Sequence, residues 1–74
     1  MGDRDDLDTV IRATFYTKEI AISKFKLITR YCERKEIPST IGISYNVYGK
    51  FYSVSVRTNK KHEEEIKDLI FLEQ

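Results

Sequence analysis

The stretch from Ile41 to Thr58 reads IGISYNVYGKFYSVSVRT, two runs of alternating apolar and polar residues on either side of Gly49 and Lys50. Glycine accepts the positive φ that a type II′ turn needs at its first central position, so the pattern predicts a β-hairpin with a two-residue loop. In that register Tyr48 lies opposite Phe51. The predicted core face carries Ile41, Ile43, Tyr45, Val47, Tyr52, Val54 and Val56. The predicted outer face carries Gly42, Ser44, Asn46, Ser53, Ser55 and Arg57, with Tyr48 and Phe51 at the tip.

The composition indicates one small domain rather than two. The chain has 74 residues, 41% hydrophobic and 34% charged, with a net charge of +1. No apolar run approaches the roughly 20 residues of a membrane helix, and we see no secretory signal. The lone Cys32 excludes an internal disulfide and suits a reducing compartment. We therefore expect a cytoplasmic protein.

The segments before the hairpin predict an acidic flexible arm over residues 1–8 and a single domain over residues 9–74. Residues 9–17 are rich in β-branched and aromatic side chains and alternate as in a strand. A helical spacing also fits, at Leu7, Val10, Ile11, Thr14 and Phe15. We favour a strand, because a hairpin alone is only marginally stable. A helix remains the alternative.

Two helices are predicted around the hairpin. The first begins at Thr17 or Lys18, runs to about Lys35 and is stopped by Pro38. Its apolar stripe contains Ala21, Ile22, Phe25, Ile28 and Cys32, widened by Ile20, Leu27 and Tyr31. The second follows Asn59 as N-cap and covers about residues 60–72. The expected fold is α+β in the order β-α-β-β-α, or α-α-β-β-α, with both helices on one face of a small antiparallel sheet.

The residues that could carry chemistry do not form a recognisable site. His62 and Cys32 are single and far apart in the sequence, short of the four ligands of a structural zinc site. We expect His62 to be exposed and Cys32 to be buried. Glu63, Glu64 and Glu65 are consecutive, so they fan around their helix instead of converging. We expect no enzyme activity, no cofactor and no metal.

Two surfaces could bind a partner. Lys26, Arg30 and Arg34 recur every four residues on the polar side of the first helix and, with Lys60 and Lys61, could contact phosphates. The outer surface of the hairpin offers aromatic and basic residues that could anchor a protein contact or stack on nucleobases. These residues are Tyr48, Lys50, Phe51 and Arg57.

Apolar residues recur at Ile41, Ile43, Val54 and Val56 and, after residues 58–60, at Ile66, Leu69 and Ile70. This spacing resembles that of the DinI family of small bacterial and phage regulators. The resemblance spans residues 9–74 and lies in element order and apolar spacing. It implies two helices on a three-stranded sheet and regulation of recombinase filaments through an acidic C-terminal helix. The last helix here carries Glu63, Glu64, Glu65, Asp68 and Glu73 but lacks that family's acidic, aromatic extension.

The sequence thus predicts a small non-enzymatic regulatory module that binds a protein partner. We also expect a homodimer through an exposed strand edge, because little in residues 9–17 or 41–47 would block pairing. The alternative function is binding to RNA or single-stranded DNA through the basic helix stripe and the aromatic tip.

Overall fold

The computed structural model describes residues 7–72, with Leu72 described in its backbone only. Residues 1–6 of the predicted acidic arm, and Glu73, lie outside this range. The elements are β1 (Thr9–Phe15), α1 (Lys18–Lys35), β2 (Ser39–Asn46), β3 (Phe51–Thr58) and α2 (Glu63–Lys67). The fold is α+β in the order β-α-β-β-α, which confirms the preferred prediction and the strand at residues 9–17. No helix within residues 7–72 is long and apolar enough to cross a membrane.

The three strands form one antiparallel sheet in the order β1-β3-β2. In the shared register Ile11 lies opposite Val56, and Val56 lies opposite Ile41. The central strand β3 therefore pairs on both sides, while β1 and β2 are edge strands. Pairing with β3 gives residues 9–15 a strand's hydrogen bonds and turns Ile11 and Ala13 into the core, which decides the local ambiguity in favour of a strand.

The hairpin turn differs from the prediction. Asn46, not Val47 or Tyr48, is the last paired residue of β2 and lies opposite Phe51, so the loop has four residues, 47–50. Asn46 organises this loop: its carbonyl oxygen accepts the Lys50 N–H at 2.8 Å and its Oδ1 accepts the Gly49 N–H at 2.6 Å. The predicted two-residue loop and the pairing of Tyr48 with Phe51 are therefore wrong.

The residue with a positive φ in this turn is Lys50, at 57°. The other described non-glycine residue with a positive φ is Glu36, at 58°, after α1. None of the described glycines has a positive φ. Gly49 is needed for space instead, because the Phe51 ring occupies the position that a β-carbon at residue 49 would take. The register is displaced by two residues, an even number, so each strand residue keeps its predicted face.

Both helical segments pack on one face of the sheet. The buried apolar core consists of Ile11, Ala13, Ala21, Ile28, Cys32, Ile37, Val54, Val56, Ile66 and Ile70. The other face of the sheet carries the small polar residues of β2 and β3, as predicted. The helical layer does not fully cover β2, and three residues predicted to be buried, Ile43, Tyr45 and Val47, are exposed.

The helix α1 has the predicted limits. Thr17 occupies the N-cap position in an extended conformation, without a side-chain capping hydrogen bond. At the other end Glu36 adopts the left-handed conformation, and its N–H reaches the carbonyl oxygens of Cys32 and Glu33. This reversal and Pro38 lead the chain directly into β2, so that α1 and β2 run in opposite directions.

The last helical segment, called the closing helix below, is less regular than predicted. It consists of a 3₁₀ turn (Lys60–His62), α2 and a π-helical turn (Asp68–Leu72). Asn59 precedes it as expected but makes no side-chain capping hydrogen bond. Lys24, which is 8% exposed, donates from Nζ to the Leu69 carbonyl oxygen at 3.1 Å and so joins α1 to this segment.

Candidate functional site

The most distinctive surface follows the free edge of β2. This strand pairs with β3 on one side, and no strand within residues 7–72 pairs with the other. Its sequence, STIGISYN, contains no charged residue and no proline. An edge strand without lysine, proline or a bulge can accept another strand through its unpaired N–H and C=O groups. The opposite edge strand, β1, carries Arg12.

Exposed apolar side chains line the same edge and continue into the turn. Ile43 is 37% exposed, Tyr45 49%, Val47 68% and Tyr48 98%. We call these four residues the β2 patch. Tyr45 is supported by Tyr52 on β3, with their ring centroids 4.6 Å apart. Because four exposed apolar side chains are grouped along β2 and its turn, the surface differs from the single exposed apolar residues common on soluble proteins.

The four residues predicted from the hairpin surface do not form one site. Tyr48 and Lys50 are exposed in the turn. Phe51 is half-buried, and its ring lies edge-on to Tyr16, with the centroids 6.5 Å apart. Arg57 is exposed six residues further along β3, or about 20 Å away at the rise of a strand. Of the four, therefore, Tyr48 belongs to the β2 patch and Lys50 lies next to it in the turn.

The basic residues considered for nucleic-acid binding are all exposed: Lys26, Arg30, Arg34, Lys60 and Lys61. None of them forms an ion pair within residues 7–72, and the Arg34 guanidinium lies 5.9 Å from the centre of the Tyr31 ring. The stripe on α1 is on the solvent side of the helical layer, whereas Phe51 and Arg57 face outward from the sheet. The structure thus places the stripe and these residues on opposite sides of the molecule.

A polar cluster joins the two helical segments. The Tyr31 hydroxyl donates to Glu65 Oε2 at 2.9 Å, and His62 Nδ1 lies 3.6 Å from Glu65 Oε1. The hydrogen bond to Glu65, followed by burial and the negative charge of Glu65, raises the pKa of the Tyr31 hydroxyl above its usual value of 10.0. His62 is half-buried, so the prediction that it is exposed is only partly correct. The cluster joins α1 to the closing helix.

Cys32 is buried in the core, as predicted. Burial is the main cause that raises the pKa of its thiol, and a smaller effect of the Ser39 hydrogen bond acts in the opposite direction. A raised pKa reduces the thiolate fraction at neutral pH and therefore the nucleophilicity of the sulfur. In the part of the chain that the structure describes, no group of three or more His, Cys, Asp or Glu side chains is placed to hold a metal ion.

Comparison with protein-family models, curated proteins and solved structures finds no match to this chain. The resemblance to the DinI family therefore stays a prediction.

Sequence reasoning missed the exposed residues Ile43, Tyr45 and Val47 because their alternation assigned them to the core face. Alternation indicates which side chains lie on the same face of the sheet, but not how far a helix extends over that face. The absence of charge along β2 was the available signal that this edge is open.

Proposed function

We propose that this chain is a small non-enzymatic regulatory module of the cytoplasm that binds another protein through the β2 patch and the adjoining turn. The observation that carries this proposal is an uncharged edge strand whose exposed apolar side chains, Ile43 and Tyr45, continue into Val47 and Tyr48 in the turn. Backbone pairing along the edge would supply affinity, and the apolar side chains would supply specificity.

The two tyrosines are suited to anchoring such a contact. Tyrosine provides a large rigid apolar surface together with a hydroxyl that can hydrogen-bond, and tyrosines are enriched among the residues that dominate interface energies. Tyr45 is held in place by Tyr52, whereas Tyr48 extends fully into solvent. Lys50 beside them could pair with an acidic group at the rim of the interface.

Site-specific photo-crosslinking in the producing cells tests this proposal. A photoreactive phenylalanine analogue replaces Tyr45 or Tyr48 in turn, and crosslinked proteins are identified by mass spectrometry. Phe71 is the matched control, because it is an aromatic residue, 55% exposed, on the closing helix. We expect defined protein adducts from positions 45 and 48 only. Equal adducts from position 71, or none from position 45 or 48, would contradict a docking role for the β2 patch.

A second candidate function is binding to RNA or single-stranded DNA. It is favoured by the basic stripe of Lys26, Arg30 and Arg34, whose charges are exposed and unpaired by acidic groups within residues 7–72. A row of cations at the spacing of one helical turn can follow a phosphate backbone. Phe51 faces outward from the sheet, on the side opposite this row, so stacking on Phe51 and contacts to phosphates would have to be made separately.

Titration into fluorescent single-stranded RNA and DNA at two salt concentrations tests this alternative. Phosphate binding should weaken steeply with salt and should be lost in Lys26→Glu/Arg30→Glu. The variant Lys18→Glu/Lys50→Glu has the same change in net charge but leaves the stripe intact. Absence of binding at low salt, or equal loss in both variants, would reject a phosphate-binding role for the stripe.

A further inference from the structure

A groove runs between α1 and the open edge of β2. One end is a cavity of about 240 Å³ lined by Lys18, Ile22, Ile43, Ser44, Tyr45 and Tyr52. The other is a cavity of about 410 Å³ lined by Phe25, Thr29, Cys32, Glu33, Glu36, Ile37, Ser39 and Ile41. Five of the α1 residues follow one another by three or four positions and so lie along one flank of the helix: Lys18, Ile22, Phe25, Thr29 and Glu33. Their spacing is that of a helix surface that packs against another helix.

The charges along this flank are ordered. Lys18 is at the N-terminal end, Ile22 and Phe25 follow it, and Glu33 and Glu36 are at the C-terminal end. This order is the reverse of the one that the helix dipole favours, which places acidic residues first and basic residues last. Glu19, Arg34 and Lys35 elsewhere on α1 do follow the favoured order. The flank thus has a basic end at Lys18 and an acidic end at Glu33 and Glu36, so two copies of it are complementary in charge when they lie antiparallel.

We propose that the partner is a second copy of this chain, bound with the two β2 strands antiparallel across a two-fold axis. This inference rests on the proposed function and specifies the partner and the edge. The two three-stranded sheets then form one sheet of six strands. Because α1 and β2 run in opposite directions, the two-fold axis also makes the two α1 helices antiparallel. Lys18 of each copy then faces the acidic end of the other copy's flank, formed by Glu33 in α1 and by Glu36 directly after it.

The apolar residues are matched by the same symmetry. Residues directly opposite in an antiparallel pair share a face, so the odd-numbered residues of one β2 meet the odd-numbered residues of the other. The axis lies at Gly42, between the two cavities, so Ile41 of one copy meets Ile43 of the other and Tyr45 lies further out on each side. In each copy, Ile22 and Phe25 of α1 line the groove beside these β2 side chains. An isologous contact of this kind closes on itself and forms a dimer, not a fibre.

Sedimentation equilibrium of the full chain over micromolar to near-millimolar concentrations tests the dimer. We expect a reversible monomer–dimer equilibrium. Ile43→Lys places two like charges near the axis and should weaken the dimer at least about tenfold. Val10→Lys is the matched control, because Val10 is an exposed aliphatic residue, 48% exposed, on the other edge strand. A chain that stays monomeric, or a dimer weakened equally by Val10→Lys, would overturn the proposal.

Charge reversal tests the arrangement of the helices without altering the core. Lys18→Glu alone, and Glu33→Lys/Glu36→Lys alone, should each weaken the dimer about fivefold, because exposed ion pairs are individually modest. The triple variant should recover the affinity of the unmodified chain. Amide spectra of each variant establish that the monomer is folded. Failure of the triple variant to recover affinity would exclude antiparallel α1 helices facing each other.

The two proposals can fail separately. A monomeric chain that still forms crosslinks from Tyr45 to a different protein would overturn the dimer and retain the β2 patch as a docking site. A dimer that survives Ile43→Lys and shows no crosslink from Tyr45 or Tyr48 would overturn both.

Discussion

The Tyr31 hydroxyl donates a 2.9 Å hydrogen bond to Glu65 Oε2, and this contact ties α1 to the closing helix. Lys35 and Arg34 lie near the Tyr31 ring, with Nζ and the guanidinium carbon 5.6 and 5.9 Å from its centre. Replacement of Tyr31 by phenylalanine removes the hydroxyl but keeps the ring beneath both cations. The substitution therefore isolates the hydrogen bond from the cation–π contacts.

Tyr31→Phe should lower the free energy of unfolding by about 1 kcal/mol at pH 8. The pKa of Tyr31 is raised in the folded chain, so the folded state retains this proton more tightly than the unfolded state. The stabilisation from the protonated Tyr31 hydroxyl is complete below the pKa of the unfolded chain, about 10. It is lost as the pH rises through the higher pKa of the folded chain. Urea denaturation at pH 8 and above pH 10 measures the free energy of unfolding of the native chain and of Tyr31→Phe. The difference between the two should be smaller above pH 10. A difference that widens with pH would contradict this account.

Cys32 should react slowly in the folded chain. Burial both shields its sulfur and raises the pKa of its thiol, so we expect modification by Ellman's reagent at pH 8 to be slower by about two orders of magnitude than in guanidinium chloride. The variant Cys32→Ala/Ser44→Cys is the control, because it carries one thiol at an exposed position of β2. Equal rates for the native and control thiols would show that Cys32 is accessible.

We expect substitutions at two neighbouring residues of the hairpin turn to change the free energy of unfolding in opposite directions. Lys50→Gly should raise the free energy of unfolding by about 0.5–1 kcal/mol, because glycine adopts the left-handed conformation at φ 57° without steric cost. Gly49→Ala should lower it by about 1–3 kcal/mol, because a β-carbon would displace the Phe51 ring. Thermal and urea denaturation measure both. A two-residue loop would instead make Lys50→Gly destabilising.

Thr58 is fully buried at the end of β3, and its Oγ1 donates to the Pro38 carbonyl oxygen at 3.0 Å. Thr58→Val keeps the shape of the side chain but removes this donor, so it should cost about 1–2 kcal/mol of stability. Thr40→Val makes the same chemical change at an exposed position of β2 and should have little effect. Equal stability of the two variants in urea denaturation would show that the Thr58 hydrogen bond contributes nothing.

Local sequence was sufficient to predict most of the fold. The β-branched alternation of β3 and the 3.6-residue period of α1 each specify one element and its buried face, and Pro38 marks the end of the helix. The turn was less predictable, because its loop length depends on Asn46, whose side-chain Oδ1 accepts the Gly49 N–H and whose carbonyl oxygen accepts the Lys50 N–H, and on where the Phe51 ring packs. Both are contacts within a few residues, but neither follows from alternation.

The sequence by itself determined the element types, their order and the face that each side chain shares, because these follow from backbone periodicity and local sterics. It also determined that β2 carries no charge. Tertiary structure decided the sheet order, which makes β2 an edge strand, and the limited cover of that edge by α1, which leaves Tyr45 exposed. These outcomes depend on how the helices share one sheet face, a choice made by packing between residues distant in the chain.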